Sequence, residues 1–187
     1  MLSAMDSYCT PPRMRTTSGP KKKAKAPPLR FVRACEATVC DENAADYDRL
    51  MCGFFLILTW VSARSSDLLN ASPRTLELVP GHLFGVTDRT KNNRGGLRWA
   101  CPHVALEAQH DGWLDKWYAI YARKFKELYS HLQEDDLLKE MDRDYLFDEL
   151  ASSPAPNQDW VPIRGTPMTT STLSIIYKHF LQKFRCY

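Results

Sequence analysis

Residues 55–69 read Phe55-Leu56-Ile57-Leu58-Thr59-Trp60-Val61-Ser62-Ala63-Arg64-Ser65-Ser66-Asp67-Leu68-Leu69. This segment carries the main signal for the fold class, because an apolar helical pattern ends within it and a short polar segment follows. The helical spacing extends back towards residue 41. The side chains on its apolar face are Leu50, Phe54, Ile57, Leu58 and Val61, with Met51 and Phe55 widening it. We therefore predict a core helix over residues 41–63, with Asp41 or Asn43 as its N-cap.

Three short strands are predicted after this helix. A helical turn at 66–70 comes first and ends at Ser72-Pro73. The strands are predicted at 75–78, 82–87 and 97–104. Gly95-Gly96 supplies turn residues between the second and third strands. Pro102 has no backbone N–H to donate, which places the third strand at an edge of the sheet.

The rest of the chain is predicted to be mainly helical. One long helix carries an apolar stripe of Leu114, Trp117, Tyr121, Phe125, Leu128 and Leu132. A short acidic helix at 134–141 and a short apolar segment at 145–147 follow it. The last helix starts near Thr169 or Thr170, and its apolar face is Leu173, Ile176, Tyr177, Phe180, Leu181 and Phe184. The predicted fold class is α+β, mainly helical, with helices around a small three-stranded antiparallel sheet.

Charge is distributed unevenly along the 187 residues. Residues 1–33 hold eight lysines and arginines against Asp6 alone, whereas residues 134–149 hold eight acidic residues against two basic ones. The first 30 residues are also rich in proline and poor in apolar side chains. We therefore predict a disordered basic linker over 1–30 and one folded domain over 31–187. The lysines of the linker, Lys21, Lys22, Lys23 and Lys25, fit a nuclear-targeting run, a DNA-contacting arm or a solvated linker.

Neither a metal site nor a membrane span is predicted. The six cysteines are irregularly spaced, which favours reduced thiols in an intracellular protein. Cys101 and His103 lack a second pair of ligands at zinc-site spacing, so packing explains them better. The longest uncharged run, residues 51–63, is shorter than the roughly 20 residues that a bilayer requires.

Arg64 and Asp67 form an Arg-x-x-Asp pattern after the core helix. A guanidinium stays charged and offers paired donors, so it suits phosphate oxygens better than an ammonium group does. Asp67 lies one helical turn further on, within reach to orient Arg64. The alternative is a surface ion pair worth less than about 1 kcal/mol, and the spacing alone favours it because the pattern is common.

Lys91 lies in a cluster of cations between the second and third predicted strands. Arg89, Arg94 and Arg98 accompany it, and residues 89–98 contain no acidic side chain. A cationic hairpin tip suits a DNA groove or a leaving oxygen. The alternative, which this segment alone favours, is an ordinary charged tip that protects a sheet from aggregation.

The order of these segments resembles the first half of the tyrosine recombinase (phage-integrase-like) catalytic domain. The apolar helix and Arg64-Ser65-Ser66-Asp67-Leu68-Leu69 are similar to that family's Arg-x-x-(Asp/Glu)-Leu-Leu segment. Residues 86–104, with Thr90-Lys91, are similar to its Thr-Lys hairpin. Tyr145-Leu146-Phe147 and residues 165–171 are similar to two later segments. The resemblance covers about residues 43–185 and is nearer to recombinases of eukaryotic mobile elements than to phage integrases.

The resemblance implies roles for individual residues. Family members cut one DNA strand with a tyrosine, while two arginines and a histidine bind the scissile phosphate and the hairpin lysine protonates the leaving oxygen. By resemblance, Arg64 is the first arginine, Lys91 the general acid and Asp67 the support for Arg64. The remaining cations, expected to contact double-stranded DNA, are Arg89, Arg94, Arg98, Lys21, Lys22, Lys23 and Lys25. No cofactor is implied.

The second half of that active site has no counterpart in this chain. His179 is followed three positions later by Gln182, and Tyr187 follows no His-x-x-Arg segment. We therefore expect a DNA-binding, catalytically incomplete recombinase fragment. A non-enzymatic DNA-binding module and a helical protein-interaction module are the alternatives. Since later helices cover the last helix in the family, its apolar face is expected to be partly exposed here and available for self-association.

Overall fold

The computed structural model describes residues 26–87, 96–151 and 162–184. The helices among these residues are α1 (Leu29–Cys40), α2 (Asp46–Val61), α3 (Ser65–Leu69), α4 (Trp113–Tyr129), α5 (Glu134–Met141) and α6 (Thr170–Lys183). The strands are β1 (Glu77–Val79), β2 (His82–Thr87), β3 (Leu97–Pro102), β4 (Asp148–Leu150) and β5 (Pro162–Pro167). The predicted α+β, mainly helical fold with a three-stranded antiparallel sheet is confirmed.

The helix α2 forms the centre of the core. All residues from Arg49 to Ile57 are buried, and α1 and α4 both pack against this helix. The predicted N-cap of α2 is wrong, because Ala45 occupies that position and makes no side-chain cap bond. Asp41 instead follows α1, where its carboxylate accepts the backbone N–H of Asn43 at 2.9 Å. This local bond shapes the turn that joins α1 to α2.

The helix α1 begins at Leu29, within the region predicted as a linker. Its buried face comprises Phe31, Val32, Cys35, Glu36 and Val39. These side chains recur at helical spacing, which is the sequence signal for α1. The ring of Phe31 lies 4.9 Å from that of Tyr177, so α1 joins α2 to α6.

The three-stranded sheet has β2 in the middle, antiparallel to β1 and β3. The edge position that Pro102 predicted for β3 is confirmed. Alternate residues of β2, namely Leu83, Gly85 and Thr87, are buried, so this face of the sheet packs on the helices. Gly85 faces Trp99 across the strands, and a Cβ added to it would lie only 2.2 Å from Cζ2 of that indole.

The helix α4 buries Leu114, Trp117 and Tyr121 of the predicted apolar stripe, whereas Phe125 and Leu128 are partly buried and Leu132 lies beyond the end of the helix. Trp113 and Trp117 are fully buried, as expected of core residues. The indole N–H of Trp117 donates to the carbonyl oxygen of Leu50 at 2.9 Å, and that of Trp113 donates to Val104 at 3.0 Å. Both rings therefore contribute apolar area without leaving their polar atoms unsatisfied.

Beyond α4, the acidic helix α5 is confirmed, and none of its residues is buried. The apolar segment Tyr145-Leu146-Phe147 is buried. It leads into β4, which pairs antiparallel with β5 in a two-stranded sheet that the sequence pattern did not predict.

The last helix, α6, begins where predicted. The hydroxyl of its N-cap, Thr169, accepts the backbone N–H of Thr172 at 3.1 Å. Leu173, Ile176 and Phe180 are at most 4% exposed, and the rings of Phe180 and Phe55 of α2 lie 6.2 Å apart. The other members of the predicted apolar face, Tyr177, Leu181 and Phe184, are only partly buried. Self-association through this face stays a prediction.

No helix in the described ranges has the length and apolar character needed to cross a membrane.

Candidate nucleic-acid interface

Arg64 lies at the sharp turn between α2 and α3. Ser62, at the end of α2, adopts a left-handed conformation with φ of 53°. Arg64 is the N-cap residue of α3, and its carbonyl oxygen accepts the N–H groups of Asp67 and Leu68 at 3.0 and 3.1 Å. Two helix-starting bonds thus hold the backbone of Arg64, while its side chain is exposed to solvent.

Asp67 does not contact Arg64 in the way the motif suggested. No ion pair between described residues joins the two, and the Asp67 carboxylate accepts the Ser66 hydroxyl at 3.4 Å. The backbone of Asp67 makes the stronger contact. Its carbonyl oxygen accepts the hydroxyl of Thr87 at 2.8 Å, which joins α3 to the end of β2.

Further bonds hold the chain after α3 against the same strand. Ala71 forms an isolated β-bridge with Thr87. The N–H of Ser72 donates to the carbonyl oxygen of Val86 at 3.3 Å, and the N–H of Val86 donates to the hydroxyl of Thr75 at 3.0 Å. The segment from α3 to residue 75 is therefore attached to the last two residues of β2.

The basic connection between β2 and β3 starts at this attachment. Thr87 pairs in register with Leu97, so residues 88–96 link two strand ends that lie side by side. The predicted cations Arg89, Lys91 and Arg94 belong to this connection and lie outside the described residues.

Arg98 is the member of the predicted cation cluster that the structure does describe. It is exposed in β3, where it pairs in register with Val86. No ion pair between described residues involves Arg64 or Arg98, whereas Arg74 contacts Asp142 at 2.7 Å. The lysines at 21–25 lie outside the described ranges, so the structure places Arg64 and Arg98 alone among the predicted phosphate-contacting cations.

An apolar groove of about 330 Å³ flanks Arg64. Ala63 and Ser65, the two neighbours of Arg64 in the chain, line one end of it. The walls are formed by side chains of α1, α2 and α6, including Phe31, Phe55 and Tyr177. The groove offers apolar surface next to a cation, but none of these lining residues is acidic or basic.

A second arginine site, missed by sequence reasoning, is buried around Arg143. This side chain is 7% exposed, and its partner Asp148 is 2% exposed, with 3.2 Å between Nη1 and Oδ2. The other donors of the guanidinium are bonded to the carbonyl oxygens of Tyr145 and Leu146 and to the hydroxyl of Tyr129. All three guanidinium nitrogens donate hydrogen bonds within the protein, so Arg143 is a structural residue rather than a phosphate ligand.

Tyr129 is likewise unsuited to attack a phosphate. Its hydroxyl donates to Asp148 at 3.1 Å, and burial raises the pKa of Tyr129 far above its ordinary value. A tyrosine acts as a nucleophile as its anion, which this environment disfavours.

Within the described ranges, no group of three or more potential ligands is arranged to hold a metal ion. Cys101 is fully buried in β3, in agreement with the packing role expected for it.

Comparison of the chain with protein-family models, with curated proteins and with solved structures finds no match.

Proposed function

We propose that this chain binds double-stranded DNA, with Arg64 and Arg98 among its phosphate contacts and with Arg89, Lys91 and Arg94, which lie outside the described residues, as further expected contacts. We further propose that it does so as a fragment of a tyrosine recombinase-like catalytic domain. The observation that supports this is the 2.8 Å bond from Thr87 to Asp67, because it attaches the helix that follows Arg64 to the strand that leads to Lys91. Thr87 comes 23 positions after Arg64 in the chain, and this bond joins it to the helix that Arg64 caps.

The charge environment also supports a phosphate partner. The exposed guanidiniums of Arg64 and Arg98 have no carboxylate partner among the described residues, whereas Arg74 and Arg123 are neutralised by neighbouring acids. An exposed arginine without an acidic neighbour keeps its charge available for phosphate oxygens. The acidic helix α5 is the part of the surface least suited to face DNA.

Binding to a fluorescently labelled duplex, measured by anisotropy over a range of salt concentrations, tests this proposal. We expect affinity to fall with salt, and Arg64→Ala to reduce both the affinity and the slope of log K against log salt, the slope by about 1. Arg74→Ala is the matched control, since Arg74 is also an exposed arginine but is already paired with Asp142. Absence of salt-dependent binding, or an equal effect of both substitutions, would contradict the proposal and favour a protein-interaction module.

Strand cleavage is not part of the proposed function. The second arginine, the histidine and the nucleophilic tyrosine of the family have no matching segment in this sequence. We expect no covalent protein–DNA adduct on a suicide substrate that traps phosphotyrosyl intermediates. An adduct that persists through denaturing electrophoresis would show that the fragment is catalytically complete, and its loss in Tyr187→Phe would identify the nucleophile.

A further inference from the structure

Thr87 is a polar residue with a fully buried side chain at the end of β2. Its hydroxyl donates to the carbonyl oxygen of Asp67 at 2.8 Å. Asp67 lies in the five-residue helix α3, and carbonyl groups near the end of a helix can lack the N–H partner that a following turn would supply. The N–H of Ala71, which would reach Asp67 if the helix continued, donates instead to Leu68 at 3.2 Å. The Thr87 hydroxyl thus supplies the donor that the short helix cannot provide.

The hydroxyl of Thr75 provides an internal comparison. It also bonds to β2, accepting the N–H of Val86 at 3.0 Å, and it donates to the carbonyl oxygen of Ser72 at 2.8 Å. These bonds hold the 3₁₀ turn Pro73–Thr75, which comes after α3. Thr75 and Thr87 therefore both attach the chain to β2, but the described side-chain bonds of Thr75 do not reach α3.

We propose that Thr87 is a positioning residue of the DNA-binding surface. Through its bond to Asp67 it holds α3, and with it the exposed Arg64 at the N-cap, against the end of β2. Asp67 then acts on Arg64 through its backbone and the helix, not through its carboxylate. This inference rests on the proposed DNA-binding function.

The chemistry of the bond predicts which substitutions matter. Thr87→Ser keeps the hydroxyl donor and removes one methyl group. Thr87→Val keeps the shape and removes the donor, which leaves the Asp67 carbonyl without its buried partner. If the bond positions Arg64, serine should preserve DNA affinity and valine should reduce it. Loss of packing alone would give the opposite order, because valine fills the site better than serine.

Duplex affinity of the full chain, measured on protein verified as folded by circular dichroism, tests the inference. We expect Thr87→Val to weaken binding by about threefold to tenfold, an effect in the range of one lost charged contact, and Thr87→Ser to stay near the wild type. In an Arg64→Ala background, Thr87→Val should have no further effect, because the residue that it positions is absent. If Thr87→Val does not fold, Thr87→Ala replaces it and has the same expected result.

Thr75→Val is the control for a merely structural contribution. It should lower the unfolding temperature but leave the DNA affinity of the folded protein unchanged. An equal loss of affinity in Thr75→Val and Thr87→Val would overturn the inference. So would a Thr87→Val effect that persists in the Arg64→Ala background.

Hydrogen exchange without DNA separates this inference from the proposed function. Thr87→Val should speed exchange of the amides of Leu68, Leu69 and Asn70 relative to the wild type, and Thr75→Val should not. Unchanged exchange in α3 would overturn the positioning role. If α3 loosens as expected while the wild type shows no salt-dependent DNA binding, the proposed function fails and the attachment of α3 by Thr87 stands.

Discussion

Gly53 of α2 lies directly beneath the indole ring of Trp117 of α4. A Cβ atom added at Gly53 would be 2.0 Å from Cδ1 of Trp117, closer than side chains can approach. The same indole donates to Leu50, one helical turn earlier in α2. This close approach sets the distance between α2 and α4, and α2 is the helix whose end leads to Arg64.

Gly53→Ala should therefore destabilise the protein, even though alanine favours helices more than glycine does. We expect a loss of about 1–3 kcal/mol in the free energy of unfolding, measured by urea denaturation, because the ring must move or the helices must separate. The cost should shrink in a Trp117→Phe background, where the smaller ring leaves room. An additive double mutant would show that the indole is not the cause.

The second prediction about stability concerns the buried ion pair of Arg143 and Asp148. Asp148→Asn removes the charge that balances a guanidinium that is 7% exposed, so we expect a loss of about 3–5 kcal/mol in unfolding free energy. Asp142→Asn is the matched control, because its partner Arg74 is 65% exposed and water already screens that pair. Similar losses in the two variants would mean that the buried network is not what stabilises this region.

The buried carboxyl group of Glu36 should make the free energy of unfolding depend on pH. It is fully buried in α1, and its carboxylate oxygens accept the N–H of Leu106 at 2.9 and 3.1 Å, with Nδ1 of His110 3.8 Å away. Burial raises the pKa of Glu36 above its ordinary value of 4.5, although the Leu106 N–H and His110 oppose the shift. The folded state therefore holds the proton more tightly than the unfolded state. The stability that Glu36 contributes is present below pH 4.5 and is lost as the pH rises through its raised pKa.

Glu36→Gln keeps a carbonyl oxygen for Leu106 but cannot ionise. Relative to the wild type, this variant should be more stable at about pH 8 than at about pH 4, as measured by urea unfolding across that range. Glu107→Gln, a neighbouring and more exposed glutamate that also lies near His110, serves as the control. Parallel pH profiles for the wild type and Glu36→Gln would contradict this assignment.

The basic N-terminal segment should supply much of the non-specific DNA affinity. Residues 1–25 contain six lysines and arginines, whereas residues 134–149 are strongly acidic. Deletion of residues 1–25, which stops short of α1, should weaken duplex binding and flatten the slope of log K against log salt. Comparison with Arg64→Ala separates the two contributions, because the single substitution should change the slope much less than the deletion. An unchanged slope after deletion would rule out this segment as a source of phosphate contacts.

Helices with a long apolar stripe were predictable from the sequence. Apolar residues recur every three or four positions from Leu114 to Phe125, and this spacing indicates which face of α4 is buried even when the packing partner is unknown. The hydroxyl of Thr169 likewise marks the start of α6 by a bond within its own turn. The pair of β4 and β5 was not predictable in this way. The strand β4 is only three residues long, the register between the strands shifts after Asp148, and no residue of β5 is buried, so the pair leaves no apolar alternation in the sequence.

The helices with a long apolar stripe, the three-stranded sheet and the identity of the candidate residues could be read from the sequence, because they depend on periodicity, turn residues and side-chain chemistry over short distances. How those residues are used depends on the tertiary fold. The backbone carbonyl oxygen of Asp67 accepts the hydroxyl of Thr87, 20 positions later in the chain. The carboxylate of Asp67, which the motif suggested would orient Arg64, makes no ion pair with Arg64 among the described residues. Tyr177 and Phe180 of α6 pack against Phe31 and Phe55, which belong to helices far earlier in the chain. Contacts of this kind depend on how separate elements pack together, and the local spacing of residues in the sequence does not show which distant residue each one contacts.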